Sequence, residues 1–329
     1  MARTIPDSID WAAYARDEDD GRADVRRASE FMEDLVAHLH SPKEVASGTA
    51  SPWAGVGDSL RFREGEVTLW GGINGHGKSA VLGEVMLHAM SAGDRACIAS
   101  MEMRPIATME RLTRQAAATA RPAPDFIRGF GRWTNDRLWL YAHVGTVERT
   151  RMLAVARYCR KELGVHHVVI DSLLKCGIAP DDYAGQKAFV DALCSLARDT
   201  GLHIHLVHHI RKGERETDIP DKFDMKGAGE ITDLVDNVLI VHRNKTKEAL
   251  LRKETISDEK RAEAEQQADT VLICAKQRHF AWEGTVRLWF DAASLQFRDV
   301  RAGGARHLDL GSGAWKQGWH KGSNGGRPA

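Results

Sequence analysis

From Gly65 onward, short and nearly unbroken apolar runs alternate with longer stretches whose apolar residues recur at three-and-four spacing. The runs Val67–Trp70, Ala96–Ser100, Leu138–Val144, Val165–Ile170, His203–Val207 and Val238–Val241 read as strands. Between them the spacing predicts helices over Ser79–Ala92, Ile106–Ala120, Arg149–Leu163 and Gln186–Thr200. Strands that are apolar on both faces and alternate with helices pack as a mainly parallel sheet covered on both sides. Past residue 268 the helices drop out. Thr270–Ala275, Thr285–Phe290 and Leu295–Arg298 follow one another through turns, the pattern of antiparallel strands extending a sheet edge.

The flanks read differently. Residues 1–22 are polar and acidic, with a short helix expected around Asp10–Arg16. Phe31, Met32, Leu35, Val36 and Leu39 define one amphipathic helix over Ala28–Leu39, followed by a Ser-, Pro- and Gly-rich linker from Ser41 to Gly57. A lone apolar stripe on a tethered helix is covered either by the chain's own core or by a neighbouring subunit. Residues 301–329 hold eight glycines, with Trp315 and Trp319 among Arg306, Lys316, Lys321 and Arg327, and read as a flexible basic tail. The expected organisation is an N-terminal segment with a linker helix (1–57), an α/β domain (58–300) and the tail (301–329).

Composition narrows the classes. Forty-six Lys and Arg balance 46 Asp and Glu, so bulk charge does not hold this chain on nucleic acid or membrane, and any such binding uses local patches. No apolar run approaches the 18 residues or so of a membrane span, and the acidic N-terminus has no signal-peptide core. Five cysteines, odd in number and without a CxxC pair, fit neither a disulfide scaffold nor a zinc site and suit a reducing cytosol. The 15 histidines are scattered without HExxH spacing, so buried or surface histidine is the default.

Chemistry enters at Gly72-Ile-Asn74-Gly75-His76-Gly77-Lys78-Ser79, which satisfies GxxxxGK[ST] between a strand and a helix. Glycines let successive backbone N–H groups surround phosphate oxygens, and the helix start, Ala80 included, adds partial positive charge. Lys78 supplies a point charge to the β- and γ-phosphates and the Ser79 hydroxyl can ligate Mg²⁺. Asp171 ends the apolar run Val168-Val-Ile, at the sheet edge where ligands gather, and is the second metal carboxylate. Hydrolysis also needs a group to orient the attacking water, and the residue after Asp171 is Ser172 rather than Glu. Glu102 follows the strand Ala96–Ser100, and it reaches the same edge if that strand neighbours the phosphate-loop strand. A helix-start Glu stabilised by the dipole is the competing reading.

The order of these elements resembles a known family. The phosphate loop is followed by Ser100-Met-Glu102-Met, Val169-Ile-Asp171-Ser-Leu, Leu206-Val-His208-His209, Lys226-Gly227-Ala-Gly229-Glu, Val241-His-Arg243-Asn and Lys276-Gln-Arg278. From about Ser29 to Phe297 this is similar to the RecA-fold ATPase domain of ring-shaped replicative DNA helicases, a group with DnaB, mitochondrial Twinkle and the phage primase–helicases. The resemblance implies a RecA-like core, ATP and Mg²⁺ as cofactors, and a homo-oligomeric, hexameric ring translocating 5′ to 3′ on single-stranded DNA. By it Glu102 is the catalytic base, Asp171 serves the metal, and Arg243 joins the nucleotide-binding set. His209, favoured over His208 by its place before Ile210-Arg211, senses the γ-phosphate. Lys276 and Arg278 reach the neighbouring subunit's nucleotide, although the glycine expected close after the arginine is absent. DNA contacts fall on Arg211, Lys212, Arg215, Lys226, Gly227 and Gly229, in a stretch (211–230) whose five Lys/Arg are outnumbered by six Asp/Glu. The linker helix is assigned to the adjacent subunit, and primase, polymerase or loader proteins are the expected partners. No primase segment is recognisable and only about 28 residues precede the linker helix, which fits either a stand-alone, phage-type helicase or the trimmed helicase half of a longer protein, in a bacterial or phage-infected cytosol. A RecA-type recombinase, or an ATP-switched DNA-binding ring without unwinding activity, is the alternative.

Overall fold

The structure is a computed structural model that describes residues 3–5, 9–15, 27–40, 48–210, 229–279 and 282–317. In chain order the strands are β1 (Arg3–Thr4), β2 (Thr49–Ala50), β3 (Arg61–Phe62), β4 (Val67–Gly71), β5 (Ala96–Ser100), β6 (Leu138–Leu140), β7 (His167–Asp171), β8 (His203–Val207), β9 (Asn237–Arg243), β10 (Thr270–Gln277), β11 (Gly284–Asp291), β12 (Gln296–Arg298), β13 (Arg306–Leu308) and β14 (Trp315–Gln317). The α-helices are α1 (Trp11–Ala15), α2 (Met32–His40), α3 (Lys78–Ser91), α4 (Pro105–Ala117), α5 (Pro124–Trp133), α6 (Arg149–Leu163), α7 (Tyr183–Thr200), α8 (Gly229–Leu234), α9 (Lys245–Leu251) and α10 (Asp258–Gln266).

One ten-stranded sheet carries the molecule, ordered β1-β6-β5-β7-β8-β4-β9-β10-β11-β12. The strands from β1 to β9 in that order are parallel, and β10, β11 and β12 add on antiparallel, as the sequence pattern predicts. Each of β4, β5, β7 and β8 is buried along its whole length. Alternate residues feed two cores, one on each face. Val67, Leu69, Val168 and Ile170 meet Met152 and Val155 of α6 and Phe189 and Leu193 of α7. Trp70, Ile98, Val169 and Val207 meet Val81 and Val85 of α3, Leu112 of α4 and Phe130 of α5. Burying such side chains contributes about 1.5–3 kcal/mol each, which is why unbroken apolar runs become central strands.

Several elements went unread in the sequence. The helix α5 starts on Pro124, which suits a first helical turn. The polar helices α9 and α10 are capped by Asn244 and Ser257, whose side chains accept from Lys247 N at 2.9 Å and Lys260 N at 3.4 Å. At the N-terminus the expected short helix is present as α1, β1 went unread, and composition misled at the C-terminal end. The acidic N-terminus contributes β1 to the sheet beside β6, and α1 packs on α6, with Trp11 edge-on to Tyr141 and Tyr158 under the Arg151 guanidinium at 4.0 Å. The glycine-rich stretch after residue 300 is no loose tail up to Gln317: β13 and β14 pair as a hairpin, Leu308 is buried, and Trp315 Nε1 donates to Ser91 Oγ at 3.1 Å. The helix of the linker is present, but Met32, Leu35 and Val36 on α2 are 44%, 43% and 51% exposed.

Three strand histidines take the default role. Trp70 Nε1 can only donate, so His205 accepts on Nδ1 (3.2 Å) and carries its proton on Nε2 toward His167 Nδ1 (3.3 Å). His167 then donates from Nε2 to Asp94 Oδ2 at 3.2 Å. His203 donates from Nδ1 to the Arg63 carbonyl at 2.6 Å and accepts from the Thr68 hydroxyl at 2.9 Å. Burial pushes His203 down to about 3 and His205 well below the ordinary imidazole value, so these two rings are neutral, and all three are hydrogen-bonded parts of the core. They adjoin a wide cleft of about 850 Å³ at the amino-terminal edge of the parallel strands, far from the phosphate loop.

Glu84 on α3 is buried with Oε2 accepting from Phe297 N at 2.8 Å, and burial raises its carboxyl from the ordinary 4.5 to about 8. The folded protein therefore keeps a proton that the unfolded chain releases, and stability declines as pH rises from the unfolded value through about 8. Denaturant midpoints measured from about pH 5 to pH 9 should show Glu84→Gln flattening this decline, by about 1–3 kcal/mol at the alkaline end. An undiminished decline in the variant would place its cause elsewhere.

Candidate functional site

Five strands deliver their carboxyl ends to one edge. Gly72 follows β4, Met101 and Glu102 follow β5, Asp171 closes β7, His209 follows β8 and Arg243 closes β9. Between β4 and α3 the backbone turns through Gly72 (φ +156°), Gly75 (φ +80°) and Gly77 (φ +94°). One of these positions excludes a side chain and another, at positive φ, strains it. A Cβ on Gly72 would stand 2.6 Å from the Val241 carbonyl, and one on Gly77 would press on Phe297 at 3.2 Å. Asn74 and Gly75 are exposed at the tip, while His76 is buried and accepts the Arg243 amide on Nδ1 at 3.2 Å. The Arg243 side chain pairs with Glu248 and donates to the Gly75 carbonyl at 3.5 Å, so the end of β9 closes over the loop. Ala80 anchors the first turn of α3, its amide bonded to Gly77 O at 3.0 Å and its carbonyl accepting from Gln115 Nε2 at 2.8 Å.

Lys78 is buried, with Nζ donating to Gly72 O at 2.6 Å and Ile73 O at 3.2 Å. Burial lowers its ammonium to about 8, against the opposing pull of Asp171 and Glu102. Ser79 Oγ donates to Asp171 Oδ2 at 2.6 Å, and burial raises the Asp171 carboxyl while that bond lowers it. A hydroxyl and a carboxylate gathered at the start of α3 are the oxygen donors that Mg²⁺ takes, and a cation bound there would replace their mutual hydrogen bond.

Glu102 Oε1 accepts from Ser172 Oγ at 3.1 Å and lies 3.2 Å from His209 Nε2. The expected route to this position needs correcting. The strand β5 neighbours β7 and β6, and β7 and β8 separate it from β4. Glu102 still reaches the site because parallel strands end at a common edge whatever their order. Ser172, which displaces the expected Glu, is the residue that bonds it. The two histidines part clearly: His208 is buried with its amide on Trp70 O at 2.9 Å and is pushed down to about 4 by burial, while His209 faces Glu102.

Lys276 and Arg278 lie elsewhere. Because β10 runs antiparallel, its C-terminal end meets the start of β9, and the Arg278 amide bonds the Asp236 carbonyl at 2.9 Å beside Val67. That level is five residues before Gly72, roughly 16 Å down the sheet from the phosphate loop at 3.3 Å per residue. Lys276 Nζ donates to the Thr232, Asp233 and Val235 carbonyls at 2.7, 2.9 and 2.8 Å, and burial lowers its ammonium from the usual value. Of the residues expected to contact DNA, Arg211, Lys212, Arg215, Lys226 and Gly227 lie outside the described residues, and Gly229 opens α8.

One residue escaped the sequence reading. Arg111 on α4 lines a cavity of about 20 Å³ with Ser79, Ser100, Met103 and Asp171, and donates to Met103 Sδ at 3.2 Å. Burial works against its charge and Asp171 supports it. Its only sequence signal is a basic residue nine positions after Glu102, on the turn of α4 that carries buried Leu112.

Residues 59–215 match the family model described as the AAA domain. One solved ATPase domain superposes with a TM-score of 0.69 at 18% identity, covering 84% of this chain and all (100%) of that one. A DnaB-like replicative helicase, solved together with its interactions with primase, superposes with a TM-score of 0.65 at 17% identity, over 84% of this chain and 67% of that chain. The chain has the fold of a DnaB-type RecA-like ATPase domain. In that fold the phosphate loop, the β7 carboxylate and the β5 glutamate of this chain surround one crevice at the carboxyl edge. Among the described residues no helix is long and apolar enough to cross a membrane.

A lysine that meets phosphate must be charged, and the Lys78 ammonium is present below about 8 and lost above it. Nucleotide affinity, followed by fluorescent-ATP titration, should be level up to about pH 7.5 and then weaken by up to tenfold per pH unit. Affinity constant to pH 9.5 or so would mean that Lys78 stays charged when the site is empty.

Proposed function

We propose that this chain is an ATP-dependent DNA helicase subunit that hydrolyses ATP at the interface between two copies in a ring. The observation that carries this reading is the division of the machinery between opposite edges of one sheet. Lys78, Ser79, Asp171, Glu102 and His209 share the carboxyl edge, while Lys276 and Arg278 lie roughly 16 Å away. Cations in that position cannot serve their own phosphate loop, but they can serve a neighbour's. Within one crevice, backbone N–H groups of Gly75 to Ser79 hold the phosphates, and Lys78 leaves the carbonyls of Gly72 and Ile73 to contact the β- and γ-oxygens. Glu102, oriented by Ser172, accepts the proton of the attacking water, and His209 reports the γ-phosphate through that same carboxylate. Mg²⁺ held by Ser79 and Asp171 would neutralise charge on the bridging phosphate oxygens. Arg278 of the next copy stabilises the charge that develops on the γ-phosphate, a contribution of about 10³–10⁵ in rate.

Assembly is supported by the uncovered stripe Met32, Leu35 and Val36 on α2, a face for the adjacent subunit. Translocation on single-stranded DNA in the 5′ to 3′ direction, a six-membered ring and a primase partner extend this reading by analogy with the DnaB-type fold.

Lys78→Ala should abolish turnover and most nucleotide binding. Arg278→Ala should retain binding yet lose about a thousandfold or more in kcat. Mixing the two variants should restore part of the activity at hybrid interfaces, and confirmed mixed rings without recovery would refute action in trans. A forked-DNA unwinding assay beside a strand-exchange assay separates the helicase from a recombinase. Charged replacements at Leu35 and Val36 should move sedimentation from rings toward monomers, and an unchanged profile would remove α2 from the interface.

A further inference from the structure

In the single subunit the two cations are already occupied. The Arg278 guanidinium pairs with Asp236 Oδ1 at 3.2 Å and donates to the Asp233 and Leu234 carbonyls at 3.1 and 3.3 Å. With Lys276 on Thr232, Asp233 and Val235, the pair covers the carbonyl end of α8, where cations are favoured by the helix dipole. Asp236 is the fixed part of this arrangement. Its Oδ2 accepts from Val67 N at 2.9 Å and its amide donates to Val67 O at 3.0 Å, which ties it to the start of the strand that leads into the phosphate loop. The Arg278 side chain is 40% exposed and that of Asp236 12%, so the cation can swing outward while its partner stays put.

We propose that Asp236 is a positioning residue that stows Arg278 on α8, so that Arg278 reaches a neighbour's γ-phosphate only by giving up this ion pair. The inference rests on the reading of Arg278 as a cation acting in trans. A half-exposed ion pair is worth little against a triphosphate, so the stowed state yields once nucleotide is presented and otherwise keeps an idle guanidinium from capturing stray anions. The equilibrium between the two positions is then one contribution to the strength of the nucleotide-dependent interface.

The test is ring assembly, read as the protein concentration at half-assembly in sedimentation or mass photometry, with ATPγS or with ADP. Asp236→Asn keeps an oxygen for Val67 N and removes the charge. It should lower the half-assembly concentration about two- to fivefold with ATPγS, the scale of an exposed ion pair, and leave it unchanged with ADP, which has no γ-phosphate. In an Arg278→Ala background the Asp236 effect should vanish. An unchanged or raised half-assembly concentration, an equal shift with ADP, or a shift that survives Arg278→Ala would each overturn the stowing role. Asp236→Ser repeats the comparison if the thermal midpoint shows that Asp236→Asn is misfolded. Failure of the underlying reading looks different: Arg278→Ala alone would then turn over ATP at the wild-type rate in assembled rings.

Discussion

Strand direction is the constraint on which this molecule depends. Parallel strands of similar length end along a common line, so β4, β5, β7, β8 and β9 each place one group beside the phosphate loop without being sequence neighbours. Reversing a strand sends its end to the other side of the sheet, and β10 is the first reversed strand after β9. The same geometry that gathers Lys78, Asp171, Glu102 and His209 therefore banishes Lys276 and Arg278. A subunit built this way has a cradle on one side and a cation on the other. In the proposed ring, two copies complete what one copy separates.

Burial tunes the cradle. Lys78, Ser79 and Asp171 sit close together in little solvent, and the loss of hydration lowers the ammonium while raising the carboxyl. Neither ion is comfortable alone, and each is held by local polar contacts, Lys78 on the Gly72 and Ile73 carbonyls and Asp171 on the Ser79 hydroxyl. In the proposed function a triphosphate with its cation would replace those contacts with stronger ones, on a site organised before the ligand arrives. The buried histidines of β8 work in the opposite sense, as neutral hydrogen-bond partners, which is why a strand can carry His203 and His205 as core residues.

The helix–strand alternation, the antiparallel extension and the phosphate loop were legible as text because each is a local pattern. Glu102 and Asp171 were legible as strand-terminal acids, and the meeting of Glu102 with Ser172 and His209 was not, since it depends on β5, β7 and β8 lying side by side. The ends of the chain were misread for a related reason. Composition marks residues 301–317 as loose and gives no sign that the N-terminal helix docks, but a few contacts such as Leu308, Trp315 and Trp11 find places on a core built from distant segments.

The sequence by itself determined the phosphate loop, the strand-terminal acids and the central strands and helices of the α/β core, since spacing and residue type act over a few positions. Tertiary structure alone decided strand order, the meeting of His209 with Glu102, the presence of Arg111 beside Asp171, and the stationing of Arg278 against Asp236. Those outcomes belong to pairs of residues from different elements, and only packing brings such pairs within reach of one another.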